Sequence, residues 1–230
     1  MKRFWKDVTV EPEGASWGIQ LDRRPVRTPA RAPLLLPTRG LADAIANEWR
    51  SAGETIDPRA MPLTGLANAA IDRVDPDHAA FAAGLAEYAL GDLICYRAEG
   101  PDTLAARQRE SWNALLGWAR RRYDIDFVTT TGLVHVAQPQ ATVDRLAHAV
   151  AELDPFHLAG LSPLVTIGGS LVAGLAVLEG ALTPDQAWHA VSIDERWQIE
   201  KWGADAEAEV ALANRRHDFM AAARFLELLD

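Results

Sequence analysis

Cysteine is almost missing, since Cys95 is the only one in 230 residues. No internal disulfide can form, and nothing argues for an oxidising compartment. Set between Ile94 and Tyr96, that thiol reads as a buried small hydrophobe rather than a nucleophile. Basic charge is short as well. Lys and Arg total 23 against 32 for Asp and Glu, a formal net charge of -9. A protein that grips nucleic acid through its phosphates needs the opposite balance. Arg120, Arg121 and Arg122 form the one basic run, and three arginines at a helix end read as a solvated terminus. Membrane-length apolar runs are also poorly represented. Leu158 to Leu178 carries no charge, but it holds four glycines and Pro163, and no positive cluster flanks it. It reads as a buried core helix whose small residues let neighbours approach closely, so no membrane insertion is expected. The start of the chain has no apolar central run of the kind a secretory signal needs.

Strong catalytic signatures are absent too. There is no GxSxG elbow, no GxxxxGK[ST] phosphate loop and no GxGxxG fingerprint. Gly168-Gly169-Ser170 lies within the apolar run, where helix packing is the simpler reading. The six histidines show neither HxxxH nor HExxH spacing, so no metal site and no cofactor is expected.

What remains is the composition of a globular protein, 49% hydrophobic and 24% charged. Val8 and Val10, then Trp17, Ile19 and Leu21, alternate with polar residues and predict a hairpin. Prolines at 25, 29, 33 and 37 make this part edge-like. Helical spacing begins after Thr38, which caps a helix through Leu41, Ile45 and Trp49. A second helix is predicted over Leu63 to Ile71. Asp75-Pro76 has the form of a cap with a first-turn proline, opening a third. Leu104, Gln108, Trp112, Leu115 and Ala119 mark a further helix. Phe127 to Val136 is rich in β-branched residues and reads as extended. Thr142 is placed to cap the next helix, and Ala208, Leu212, Phe219, Ala222, Ala223 and Leu226 stripe the last. The fold class expected is α+β: a strand-rich N-terminal module over 1–75 and a mostly helical domain over 76–230.

One stretch organises the rest, TPDQAWHAVSIDERWQIEKWGAD from Thr183 to Asp205. Thr183, Pro184 and Gln186 make a capping-box start. Read as a single helix, it puts Trp188, Val191, Ile199 and Trp202 on one face with Glu195 in their midst. Ala190, Ile193, Trp197 and Ala204 form a second apolar strip. An ionised Glu buried without a partner costs several kcal/mol or more, so Glu195 must be paired, neutralised or accessible. With His189, Asp194 and Glu200 nearby, it could act as the general acid of a hydrolase. Helical spacing opposes that, because Asp194 and Glu200 project away from Glu195. The plainer readings are a salt bridge from Glu195 to an arginine on a neighbouring helix, and tryptophans, Trp188 and Trp202 above all, that fill a core. Aromatic anchors around a charge also suit a protein-protein contact.

Five segments occur in order: LDRRPVRTPAR, MPLTGLANAAID, DLICYRAEGPDTLAARQRESW, SPLVTIGGSLVAGLAVLEG and DERWQIEKWGADAEA. Together they resemble the assembly chaperones for the alpha subunit of the F-type ATP synthase catalytic sector. The resemblance implies a non-enzymatic chaperone with an N-terminal α/β part and a helical C-terminal part. It also implies a partner, the free alpha subunit, held until the beta subunit takes its place. It implies an important acidic residue before the Trp202-Gly203 pair, most naturally Glu195 and less naturally Glu200. The partner-binding residues expected are Glu195, Trp197, Trp202, Glu200 and Asp194. A monomer is expected, in bacterial cytoplasm rather than a mitochondrial matrix. A constitutive subunit of a complex is the remaining alternative. Arg23 departs from the pattern, standing where the family commonly has Gly, which bears on the geometry of that turn.

Overall fold

Alternating apolar residues in two adjacent runs can share one face of a hairpin. The computed structural model describes residues 2–203 and 205–230. In it the runs form antiparallel strands β1 (Val8–Glu13) and β2 (Ser16–Leu21), with Val8 opposite Leu21 and Val10 opposite Ile19. Two short strands, β3 (Arg24–Pro25) and β4 (Leu35–Leu36), also pair with β2. β1 lies at the sheet's edge, where the missing N–H of Pro12 is tolerated. Between β2 and β3 the chain turns through Asp22 (φ 48°) and Arg23 (φ 66°). The left-handed geometry is therefore kept although Arg stands in place of Gly. The Asp22 carboxylate accepts the N–H groups of Asp7 at 2.9 Å and Lys6 at 3.0 Å. Those two bonds hold its pKa below the ordinary carboxylate value.

Thr38 opens helix α1 (Arg39–Ser51), its Oγ1 accepting the Leu41 N–H at 3.2 Å. Leu41, Ala42, Ile45 and Ala46 face a core shared with Ile19, Leu21 and Leu36. Met61 supplies no side-chain cap to α2 (Pro62–Ala69). Glu48 of α1 does so instead, accepting the Leu63 and Thr64 N–H groups at 2.8 Å each.

The expected cap at Asp75 does not form. Winding continues from α2 through a π turn (Ala70–Val74) and a 3-10 turn (Asp75–Asp77) into α3 (His78–Ala86). Asp75 keeps helical angles (φ -57°, ψ -47°), and its N–H reaches the Ala70 carbonyl five residues back. A wide turn followed by a tight one accommodates Pro76, which has no N–H to contribute.

The chain divides into two compact units. The first holds the chain up to His78 with Asp154–Gly160 and Arg224–Asp230, and the second holds Ala79–Leu153 and Leu161–Ala223. Within the first, Phe156 stacks on Phe225 with ring centroids 6.3 Å apart. The Thr38 hydroxyl donates to the Leu228 carbonyl.

The remaining helices are α4 (Asp102–Tyr123), α5 (Gln140–Ala151), α6 (Pro155–Gly168), α7 (Leu171–Leu178), α8 (Pro184–Val191), α9 (Ile193–Trp202) and α10 (Ala206–Glu227). Leu104, Gln108, Trp112, Leu115 and Ala119 are buried along α4, as their spacing predicts. Four expectations need correction. The uncharged run is two helices, because Gly169 (φ 69°) turns the chain and Ser170 caps α7 through the Ala173 N–H at 3.0 Å. Close approach does hold there, since a Cβ on Gly174 would lie 2.8 Å from Val165 Cγ2. Thr142 is inside α5 rather than capping it, and its hydroxyl donates to the Asp126 carbonyl at 2.8 Å. Of the β-rich run 127–136, only β6 (Thr130–Thr131) pairs, in parallel with β5 (Tyr96–Arg97). Ala208 on α10 is exposed, so the buried stripe of that helix starts further along. Strands lead and helices follow, an α+β fold. Among the described residues no helix is long and apolar enough to cross a membrane.

Candidate functional site

The stretch from Thr183 to Asp205 starts as its sequence requires. Thr183 Oγ1 accepts the Gln186 N–H at 3.2 Å, and Gln186 Oε1 accepts the Thr183 N–H at 2.9 Å. It is not one helix. Ser192, fully buried, leaves helical geometry (φ -109°, ψ 20°) and separates α8 from α9. Its hydroxyl donates back to the Trp188 carbonyl at 2.6 Å, beside its own N–H at 3.0 Å, so backbone hydrogen bonding runs on through the break. Along the expected face Trp188 and Val191 are buried, whereas Ile199 is half-buried and Trp202 exposed, so that face does not continue as core to the end of α9. Trp188 is a core residue, its ring 5.5 Å from that of Phe219. Ala204 of the second strip lies outside the described residues.

Each acidic candidate has a distinct partner. Glu195 Oε1 receives Arg215 Nη1 of α10 at 2.9 Å. This is the arginine on a neighbouring helix that the plainer reading anticipates. Neither side chain is sealed, however, with 38% of Glu195 and 43% of Arg215 still exposed. Asp194 Oδ1 receives the amide of the buried Gln108 at 2.6 Å, and Gln108 Oε1 in turn accepts the Ala98 N–H at 2.7 Å. Glu200 pairs with Arg107 at 2.7 Å near the solvent. The three carboxylates thus point to three separate partners.

The two tryptophans of α9 differ sharply. Trp197 is 5% exposed and Trp202 is 73% exposed, so the expectation that Trp202 fills a core is corrected. Their rings meet edge to face at 5.4 Å, and Lys201 Nζ lies 6.0 Å from the Trp197 ring centroid. Among the described residues the buried indole N–H of Trp197 has no partner. Beyond Trp202 the chain turns at Gly203 (φ 82°), where a residue with a Cβ would be strained. The first residues of α10 are exposed, Val210 among them. The end of α9 and the start of α10 therefore present Trp202 and Val210 beside Glu200, Asp205, Glu207 and Glu209. Trp202 is thus a large apolar side chain left mostly in solvent.

A separate groove of about 470 Å³ is lined by Leu115, Trp118, Arg121, Leu182, Gln186 and His189 among others. Glu195 does not line it, so His189 and Glu195 do not share a site. No group of three metal-ligating side chains is found among the described residues.

Asp92 is not among the residues that spacing or resemblance singles out. This carboxylate is fully buried, accepting the Ile94 N–H at 3.2 Å and the Val172 N–H at 3.0 Å. It joins the turn before β5 to the start of α7. Burial pushes its pKa up to about 6 against the opposing pull of those bonds. An acid just before Leu93-Ile94-Cys95 was the available signal, because a charge beside an apolar run needs a dedicated partner. Cys95 itself is buried, as expected, and burial with Asp92 nearby pushes its thiol up to about 12.

Comparison with known proteins settles the class. Residues 2–120 match the family model described as ATP12 chaperone protein. The crystal structure of Atp12 from Paracoccus denitrificans superposes with a TM-score of 0.94 at 43% identity, covering 100% of this chain and 98% of that one. This chain belongs to the ATP12 chaperone family. An aspartate-to-lysine mutant of the Paracoccus protein matches equally well, with a TM-score of 0.94 at 43% identity over the same shares of both chains. The mitochondrial protein atp12 of Schizosaccharomyces pombe is 23% identical over 219 residues, 90% of this chain and 75% of that protein. The ATP12 assignment bears out the resemblance carried by the five segments, that of an ATP synthase assembly chaperone. ATP12 proteins are chaperones and not enzymes, which removes the hydrolase reading of Glu195.

Proposed function

We propose that this ATP12 chaperone binds the free alpha subunit of the F-type ATP synthase catalytic sector and holds it until the beta subunit takes its place. The exposed end of α9 is the contact. Trp202 carries the proposal, being a large aromatic ring left in solvent beside partly accessible acids. Burying it fully against the client contributes roughly 1.5–3 kcal/mol. Glu195 and Glu200 already hold arginines, so a basic or N–H donor on the client competes for carboxylates that remain reachable. Trp197 backs Trp202 from below, and Asp194 fixes α9 to α4 through Gln108. The protein works as a monomer without nucleotide or metal. The bacterial cytoplasm is its proposed place of action.

Isolated alpha and beta subunits, offered separately, test this reading. The chain is expected to suppress aggregation of alpha and to release it when beta is added. Capture of beta alone, or a complex that beta never displaces, overturns it.

A further inference from the structure

Far along the chain from α9, residues 127–138 read FVTTTGLVHVAQ and contain no Asp, Glu, Lys or Arg. In a chain with 24% charged residues, such a run on the surface is unusual. It is also firmly held. Gln138 closes its base, accepting the Val128 N–H and donating to the Val128 carbonyl, both at 2.9 Å. The Gly132 N–H donates to the Arg97 carbonyl at 2.8 Å, and Tyr96 Oη lies 3.2 Å from His135 Nδ1. On this frame Leu133 is 97% exposed and Val134 76% exposed. A loop fixed at several points has already lost the freedom that binding would otherwise have to remove.

The backbone beside that tip is unfinished. β5 and β6 form a sheet of two strands, which leaves the outer side of β6 open. Because the Gly132 N–H faces Arg97, strand alternation turns the N–H of Thr131 to the opposite, open side, where its carbonyl keeps only a long bond of 3.5 Å from the Thr130 hydroxyl. An open edge next to uncovered apolar side chains is a template for another chain. We propose that β6 with the Leu133–Val134 tip is a second docking surface, which takes an extended, uncharged, apolar segment of the client as a third strand. Backbone pairing at Thr131 supplies the register, and the two aliphatic side chains supply the apolar contact. The twelve residues carry no charge, and a carboxylate set against them, Glu99 beside Gly132, disfavours an acidic segment. The inference rests on the reading of the protein as a chaperone for an unassembled subunit, and adds a contact independent of Trp202.

The test compares the full chain with a Leu133→Asp, Val134→Asp double variant and with Thr131→Pro. Both double-variant side chains stand in solvent, so the fold is unaffected. Proline at 131 removes the outward donor along with the threonine side chain, and Thr131→Ala, which keeps the donor, is its control. Affinity for isolated alpha and beta subunits is measured for each, with amide exchange of residues 129–135 followed in the parent complex. Both variants are expected to weaken client binding by about tenfold or more, and the Thr131 amide to become protected in the complex. Double and proline variants that bind within twofold of the parent, or a Thr131 amide left unprotected, overturn the proposal. If the double variant abolishes only self-association of the chain, the strand's partner is a second copy, and the proposal likewise falls. Should the parent bind beta rather than alpha, the alpha reading fails while the loop is judged on the beta complex. If the parent binds neither subunit, both readings fail.

Discussion

Glu195 Oε1 lies 2.9 Å from Arg215 Nη1, and the same guanidinium donates to the Ile167 carbonyl at 3.0 Å. The arginine is anchored by the backbone whether or not the glutamate is charged. Glu195→Gln is therefore expected to lower folding stability by less than about 1 kcal/mol, as for other part-exposed ion pairs. The same change should weaken client binding by about tenfold. Chemical denaturation beside a binding titration checks the two together. A loss of stability without loss of binding would make Glu195 a structural residue.

The paired tryptophans of α9 should separate in the same assays. Trp202→Ala removes a ring that packs mostly against water, so its effect on stability should stay within about 0.5 kcal/mol. Client affinity should fall by more than tenfold. Trp197→Ala empties a buried site and should cost about 3–5 kcal/mol of stability.

Asp92 makes stability depend on pH in a defined window. Its folded pKa, about 6, lies above the ordinary value of 3.8. The folded state then holds the proton more tightly, so this group's contribution is fully present below about pH 4 and is lost as pH rises through about 6. Asp92→Asn should flatten the profile in that window. It should also destabilise by about 1–3 kcal/mol, because an amide cannot accept at both positions where the carboxylate does. Urea midpoints measured from pH 4 to 7 test both effects.

Cys95 offers a reporter of opening. A buried thiol with its pKa pushed up to about 12 should not react with thiol reagents near neutral pH while folded. Labelling is expected to follow denaturant-induced unfolding and to be nearly absent without it. Rapid labelling of the native protein would contradict the burial of that turn.

At the β2–β3 turn Arg23 holds φ 66°. Arg23→Gly should raise stability by roughly 0.5–1 kcal/mol, the relief of left-handed strain less the extra freedom glycine brings to the unfolded chain. Thermal melts of the two proteins compare directly.

Much of this was legible in the residues because local chemistry decided it. The β1–β2 hairpin, the Thr38 and Thr183 caps and the buried side of α4 each follow from spacing or one hydrogen bond. Readings failed where a distant group or a backbone detail took over. Pro76 looks like a helix start, yet a π turn leads into a 3-10 turn that carries the chain through it. Ser192 carries no strong breaking propensity, yet its backbone leaves helical angles and divides the key stretch. Spacing alone places Trp202 in a core, but a tryptophan's burial depends on which elements cover its face, and the end of α9 leaves it 73% exposed. Glu195 was narrowed to a paired or accessible acid from desolvation cost alone, whereas the identity of Arg215 needed the packing of α10. Asp92 is not legible from its surroundings in sequence, because the Val172 N–H that secures its second oxygen comes from 80 positions away.

The first unit draws on three separated parts of the chain, with Phe225 in its buried core beside residues of β2 and α1. During translation the hairpin and α1 leave the ribosome long before Phe225 and Leu228 exist. The part of their apolar face that Phe225 covers waits through the synthesis of everything between. An assembly chaperone thus passes through an interval of synthesis in which its own first-made core lacks its last aromatic ring.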